Sequence, residues 1–178
     1  MREASDSGLR IHCQHGNRDF LLDGQFAAAS GVTLLPDPYI LSLADWQFVL
    51  SHGDALCTDD QEYQDFRRQV RDPQWQQGFL AKTLAERRAI AAHIRAQSEA
   101  NKQGKAAYLM DLNARDTDDF LRANGYATFI HGHTHQPATH QHIVDGIHVE
   151  RWVLADWHED RGEYLAWDGA TLARHTLT

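Results

Sequence analysis

Gly132-His133-Thr134-His135 puts two imidazoles one residue apart. Histidine is the commonest side-chain ligand of transition metals, because its neutral ring offers a nitrogen lone pair near neutral pH. A lone His-x-His is frequent on protein surfaces, so the weight falls on its company. Two other short stretches share its character, His15-Gly16-Asn17-Arg18-Asp19 and His52-Gly53-Asp54. Asn17 brings a neutral carbonyl oxygen and His52 a ring nitrogen. All three stretches follow segments that read as strands, so Asn17, His52, His133 and His135 are expected to converge above one sheet edge. Divalent ions held there would act as Lewis acids and activate a bound water, and Arg18 would bring a planar, permanent charge beside them. The chain has twelve histidines, six of them between His131 and His148, a density that suits either a metal site or a solvated loop. His15 and His131 precede the motif glycines and are expected to support the site rather than ligate, since successive strand residues face opposite ways. His140, His142 and His148 are expected on the surface.

The elements that must position these groups can be read from periodicity and turn chemistry. Strands are predicted over 9–14, 32–35, 39–43 and 46–51, with a turn at Ala44-Asp45 between the last two. A helix over 22–30 should stop at Gly31. Another should run over 58–71, with Asp59 and Asp60 near its start and Pro73 ending it. A long helix is predicted over 83–101, with Leu84, Ala91 and Ile94 on one face and Arg87, Arg88 and Arg95 supplying cations. A helix over 113–124 precedes a strand over 128–130. Two hairpins follow, 141–144 with 147–154 around Asp145-Gly146, and 163–167 with 171–176 around Asp168-Gly169. Strands and helices thus mix along the chain, the pattern of a sheet-based α/β fold.

The 178 residues suit one domain. A formal net charge of −8 argues against a general nucleic-acid binder, which needs a basic face. No apolar run is long enough to cross a bilayer, and the first eight residues are polar, unlike a signal peptide. Cys13 and Cys57 lack zinc-type spacing and suit a reducing cytoplasm. No protein partner is predicted. Arg87, Arg88, Arg95, Lys102 and Lys105 form a basic stretch beside Trp75, Phe79 and Leu80, which suits an anionic lipid at a membrane surface or a plain solvated helix face.

Taken in order, Gly16-Asn17-Arg18-Asp19, His52-Gly53-Asp54 and Gly132-His133-Thr134-His135 resemble the later motifs of the calcineurin-like metallophosphoesterases. The Arg of Gly-Asn-Arg-Asp, the stretch from Asp54 to Asp60 and the stretch from Ile130 to Ala138 are similar to the branch that hydrolyses UDP-2,3-diacylglucosamine. The resemblance spans nearly the whole chain. It implies a sandwich of two packed mixed sheets flanked by helices, one domain with a helical insertion at about 58–105. It implies that Asn17, His52 and His133 ligate one manganese ion and His135 a second, with Asn17, Arg18, His52 and His133 in the catalytic machinery. Asn17, Arg18, Asp60, Ser98, Lys102, Lys105 and His133 match substrate-contacting positions. The substrate would be a lipid-linked UDP-sugar met at the cytoplasmic face of the inner membrane, and the products UMP and 2,3-diacylglucosamine 1-phosphate, lipid X of lipid A biosynthesis. Asp60 equally reads as a carboxylate at a helix N-terminus. The same motifs leave open another phosphodiester or nucleotide substrate, or a non-catalytic metal-binding module. Members of the family begin with Asp-x-His and Gly-Asp motifs, and neither precedes Asn17. The chain is therefore expected to lack roughly the first quarter of a relative and to keep ligands mainly for one ion.

Overall fold

The strand signals resolve, in the computed structural model of the chain, into one five-stranded mixed sheet and two smaller pairs. The structure describes residues 1–102 and 111–177. In chain order the elements are α1 (Arg2–Asp6), β1 (His12–Gln14), α2 (Gly24–Ser30), β2 (Thr33–Leu35), β3 (Tyr39–Leu43), β4 (Trp46–Ser51) and a 3-10 turn at Asp54–Leu56. Then come α3 (Gln61–Arg71), α4 (Pro73–Leu80), α5 (Leu84–Lys102), α6 (Ala114–Ala123), β5 (Thr128–His131), β6 (Ala138–Val144), β7 (Ile147–Val153), β8 (Gly162–Trp167) and β9 (Leu172–Leu177). Two compact units result, Met1–Leu56 with Asn113–Thr178, and Cys57–Leu112.

The first unit holds every strand among the described residues. Its main sheet has the order β3-β4-β5-β7-β6. β4 runs parallel to β5 and β5 to β7, while β3 and β6 join as antiparallel hairpin partners at the two edges. Register puts Val49, Phe129 and Arg151 in one row and Ser51, His131 and Val153 in the next. Side chains alternate across a strand, so these six share a face. There Phe129, fully buried, meets Phe120 of α6 at 4.9 Å between ring centroids, and Leu121 is equally buried. On the opposite face Phe48 meets Trp167 of the β8–β9 hairpin edge-on at 5.2 Å. Towards the ends of β4 and β5 that face opens into a cavity of about 440 Å3 lined by Leu50, Ile130, Leu154, Tyr164 and Leu165, with Gln14 at its border. Beyond the five-stranded sheet, the described residues hold two separate pairs, parallel β1–β2 and antiparallel β8–β9, and not the single second sheet that the resemblance implies.

Turn chemistry sets the hairpins. Asp145 and Gly146 both have positive φ, 54° and 81°, the backbone of a type I′ turn, whose twist matches that of its strands. Gly31, at φ 76°, ends α2 as expected.

The second unit is helical among its described residues. Asp60 and Asp72 cap α3 and α4 by accepting from the backbone N–H of Tyr63 and Trp75. Pro73 does not end a helix so much as begin one. It stands in the first turn of α4, where a missing N–H costs nothing. Thr83 and Glu86 form a reciprocal capping box at the start of α5. No helix among the described residues is long and apolar enough to cross a membrane.

Candidate metal site at the ends of β4 and β5

β4 and β5 are parallel neighbours, so their C-terminal ends open side by side, the usual place for chemistry on such a sheet. Ser51 pairs with His131 in the last row, and the chains continue as His52-Gly53 and Gly132-His133. The two loops are tied directly, the Gly132 N–H donating to the His52 carbonyl at 3.2 Å. Their rings face one another, His52 and His133 lying 5.1 Å apart between centroids at 70°.

Glycine makes this approach possible. A Cβ on Gly53, at φ 97°, would come within 2.9 Å of the His131 ring. A Cβ on Gly16 would come within 3.0 Å of the His52 ring, so the loop after β1, which carries Asn17 and Arg18, lies against His52. Asp19 closes that loop by accepting from the Gly16 N–H. His15 reaches back to the Leu22 carbonyl at 2.8 Å. Asn17 is half-buried and Arg18 exposed.

His133 and His135 take φ of 64° and 55°, a left-handed backbone that costs energy in L-residues and clusters at functional sites. His-Thr-His is therefore a tight loop and not a strand end. His135 is exposed, its Nδ1 3.7 Å from Asp156 Oδ2. That same oxygen accepts from His158 Nε2 at 2.8 Å, the main reason the Asp156 carboxyl sits below its ordinary pKa, with the charges of His158 and His135 adding to it.

The donor set can be judged against a metal. Two imidazoles face each other and an asparagine loop touches one of them, nitrogen and oxygen donors suited to a single divalent transition ion. Among the described residues no three of His, Cys, Asp and Glu are grouped to hold one. The facing rings thus have the donor chemistry a divalent ion needs, while a full ligand set is not grouped among the described residues.

The remaining expected residues lie elsewhere. Asp60 caps α3, Ser98 is exposed on α5, and Lys102 is the last residue of that helix. All three belong to the second unit. Lys105 lies outside the described residues.

His142 is not the surface residue expected of it. Its ring is only 17% exposed, between Asp118 Oδ1 at 3.3 Å and Arg151 Nε at 3.2 Å. His140 is half-buried as well, whereas His148 is exposed. Arg151 and Asp156 were not singled out from sequence. For Arg151 a signal existed, an arginine in phase with Val149 and Val153 on the inward side of an apolar strand.

No family model matches the chain. It is 52% identical over 166 residues to a UDP-2,3-diacylglucosamine hydrolase of Aromatoleum aromaticum, covering 93% of this chain and 67% of that relative. Another, from Chromobacterium violaceum, is 51% identical over 159 residues, 89% of this chain and 65% of the relative. A third, from Chromohalobacter salexigens, is 44% identical over 162 residues, 91% and 66%. The mixed sheet with helices is an α/β fold consistent with the metallophosphoesterases, and the identities give the family. The chain belongs to the UDP-2,3-diacylglucosamine hydrolase family. It spans about two thirds of the length of the curated relatives it matches.

Proposed function

We propose that the chain forms the greater part of a calcineurin-like metallophosphoesterase sandwich, and that the whole protein hydrolyses the diphosphate of UDP-2,3-diacylglucosamine to UMP and 2,3-diacylglucosamine 1-phosphate. The observation that carries this is the facing pair His52 and His133 on adjacent parallel strands, in a chain 52% identical to a protein of that name. His52, His133 and the Asn17 amide would hold manganese, with His135 the donor towards a second ion.

A bound divalent ion supplies Lewis-acid charge for the phosphoryl oxygens and an acidified water as nucleophile. The protein's own part is orientation and charge. The Gly53 turn and the Gly132 N–H bond to the His52 carbonyl tie the two loops before substrate arrives, so little reorganisation accompanies the reaction. Arg18, exposed on the loop beside His52, is suited to a bidentate grip on a phosphate oxygen pair. Asp60, Ser98, Lys102 and Lys105 match substrate-contacting positions of the family and are proposed in that role. The lipid-linked substrate implies work at the cytoplasmic face of a membrane, supported by the basic residues Arg87, Arg88 and Arg95 of α5 with Trp75 stacked on Phe79 in α4.

Incubation with Mn2+ and UDP-2,3-diacylglucosamine tests the proposal, using this chain and a form extended N-terminally by a relative's Asp-x-His and Gly-Asp segment. UMP release by the extended form, abolished by His133→Ala, is expected. Release from a generic phosphodiester but not from the lipid-linked UDP-sugar would overturn the substrate.

A further inference from the structure

Beneath the His52–His133 pair runs a polar network that the proposed reaction does not use. His131 ends β5 with 1% of its surface exposed, and Arg151 of β7 is 7% exposed. Arg151 Nη1 lies 3.0 Å from His131 Nε2, and Arg151 Nε donates to His142 Nε2 at 3.2 Å. A guanidinium has donors only and keeps its charge throughout the accessible pH range. Both Nε2 atoms must therefore be acceptors, and in a neutral imidazole the proton is then on Nδ1. Each Nδ1 faces an acceptor that suits this assignment, the Gly132 carbonyl at 2.9 Å for His131 and the Asp118 carboxylate at 3.3 Å for His142. One arginine thus sets two tautomers.

The consequence reaches the site because of what the His131 ring touches. Its Nδ1 is bonded to the Gly132 carbonyl, one residue from His133, and the ring fills the space where Gly53 has no Cβ, one residue from His52. The Leu154 N–H also donates to the His131 carbonyl at 2.8 Å, fixing the backbone below. His131 is a brace between the two loops, and Arg151 holds the brace.

We propose that Arg151 is a positioning residue which, with His142 and Asp118 behind it, locks His131 as the Nδ1–H tautomer and so fixes the facing rings of His52 and His133. The inference deepens the reading of that pair as a metal site and rests on it, although the locked tautomers can be observed without metal.

The test is long-range 1H–15N NMR of the histidine rings in the metal-free chain at pH 8.5. His131 and His142 are expected as Nδ1–H in the wild-type chain. In Arg151→Met, the Nε2 signals of His131 and His142 should move as both lose their donor, the His52 and His133 ring signals should shift or broaden, and His175 on β9 should stay in place. Arg151→Lys, with a compact ammonium in place of the planar fork, should restore part of the pattern. Finding His131 as Nε2–H in the wild-type chain, which needs no variant to fold, overturns the proposal. So do unmoved His52 and His133 signals in a folded Arg151→Met. A parallel Mn2+ titration separates the two ideas. Failure of Mn2+ to broaden the wild-type His52 and His133 signals removes the metal reading and with it the brace's role in ligation. If Mn2+ binds, Arg151→Met should weaken it about tenfold, at the lower end of the range for residues that orient metal ligands.

Discussion

The two ends of the five-stranded sheet use the same kinds of side chain to opposite effect. At the end where β4 and β5 finish, arginine and histidine are buried, and their hydrogen bonds hold ring orientations. At the other end Arg122 of α6 clamps Asp145 in the β6–β7 turn with two bonds, of 2.6 and 3.0 Å, and the Tyr126 hydroxyl adds a third at 2.9 Å, all on exposed groups. Buried polar contacts are costly to break because the orphaned partner stays out of water, whereas exposed ones are screened and replaceable. The first end is built for geometry, the second for tethering a turn.

Substitutions can break this contrast, and the largest effect is expected at the residue beneath both ends. Phe129→Ala removes a fully buried ring that touches Phe120 and His131. It should cost about 3–5 kcal/mol in denaturant unfolding. Gly53→Ala comes next, because it combines a left-handed backbone with a Cβ aimed at the His131 ring. A loss of about 1–3 kcal/mol is expected, together with displaced His52 and His131 NMR signals, while the Arg122–Asp145 clamp is untouched.

Asp145→Asn should have the smallest effect and leave the His52 and His133 signals unchanged. Its signature is in pH. Hydrogen bonds from Arg122 and then Tyr126 hold the Asp145 carboxyl down to about 2, from an ordinary 3.8. A depressed carboxylate contributes stability that is complete above its unfolded pKa and disappears as pH falls through the folded one. Thermal unfolding of the wild-type chain should therefore lose this contribution between about pH 4 and pH 2. The variant should show a flatter acid profile over that window.

Much of the scaffold was legible because local chemistry dictated it. Asp145-Gly146 announced a type I′ turn, and the alternation across 39–43 and 46–51 gave β3 and β4 their observed bounds. β1 came out shorter than its sequence pattern, since Leu9 and Arg10 are exposed and gain nothing from extension. Pro73 was misjudged because proline marks both a helix stop and a first turn, and only the Asp72 cap decides between them. The three glycine-bearing loops were visible as motifs, and the meeting of His52 with His133 follows once β4 and β5 are neighbours. Strand pairing of that kind is non-local and no window of sequence shows it. The misreading of His142 has the same origin, since a polar residue on an edge strand looks solvated until α6 covers it. Arg151, by contrast, was legible in its phase with Val149 and Val153.

The most direct test of the proposed metal site is Mn2+ binding to this chain, followed by electron paramagnetic resonance at increasing ion concentration. One bound equivalent is expected, with affinity reduced at least tenfold by His52→Ala or His133→Ala and changed less by His135→Ala. Binding unaffected by His52→Ala and His133→Ala would contradict the account.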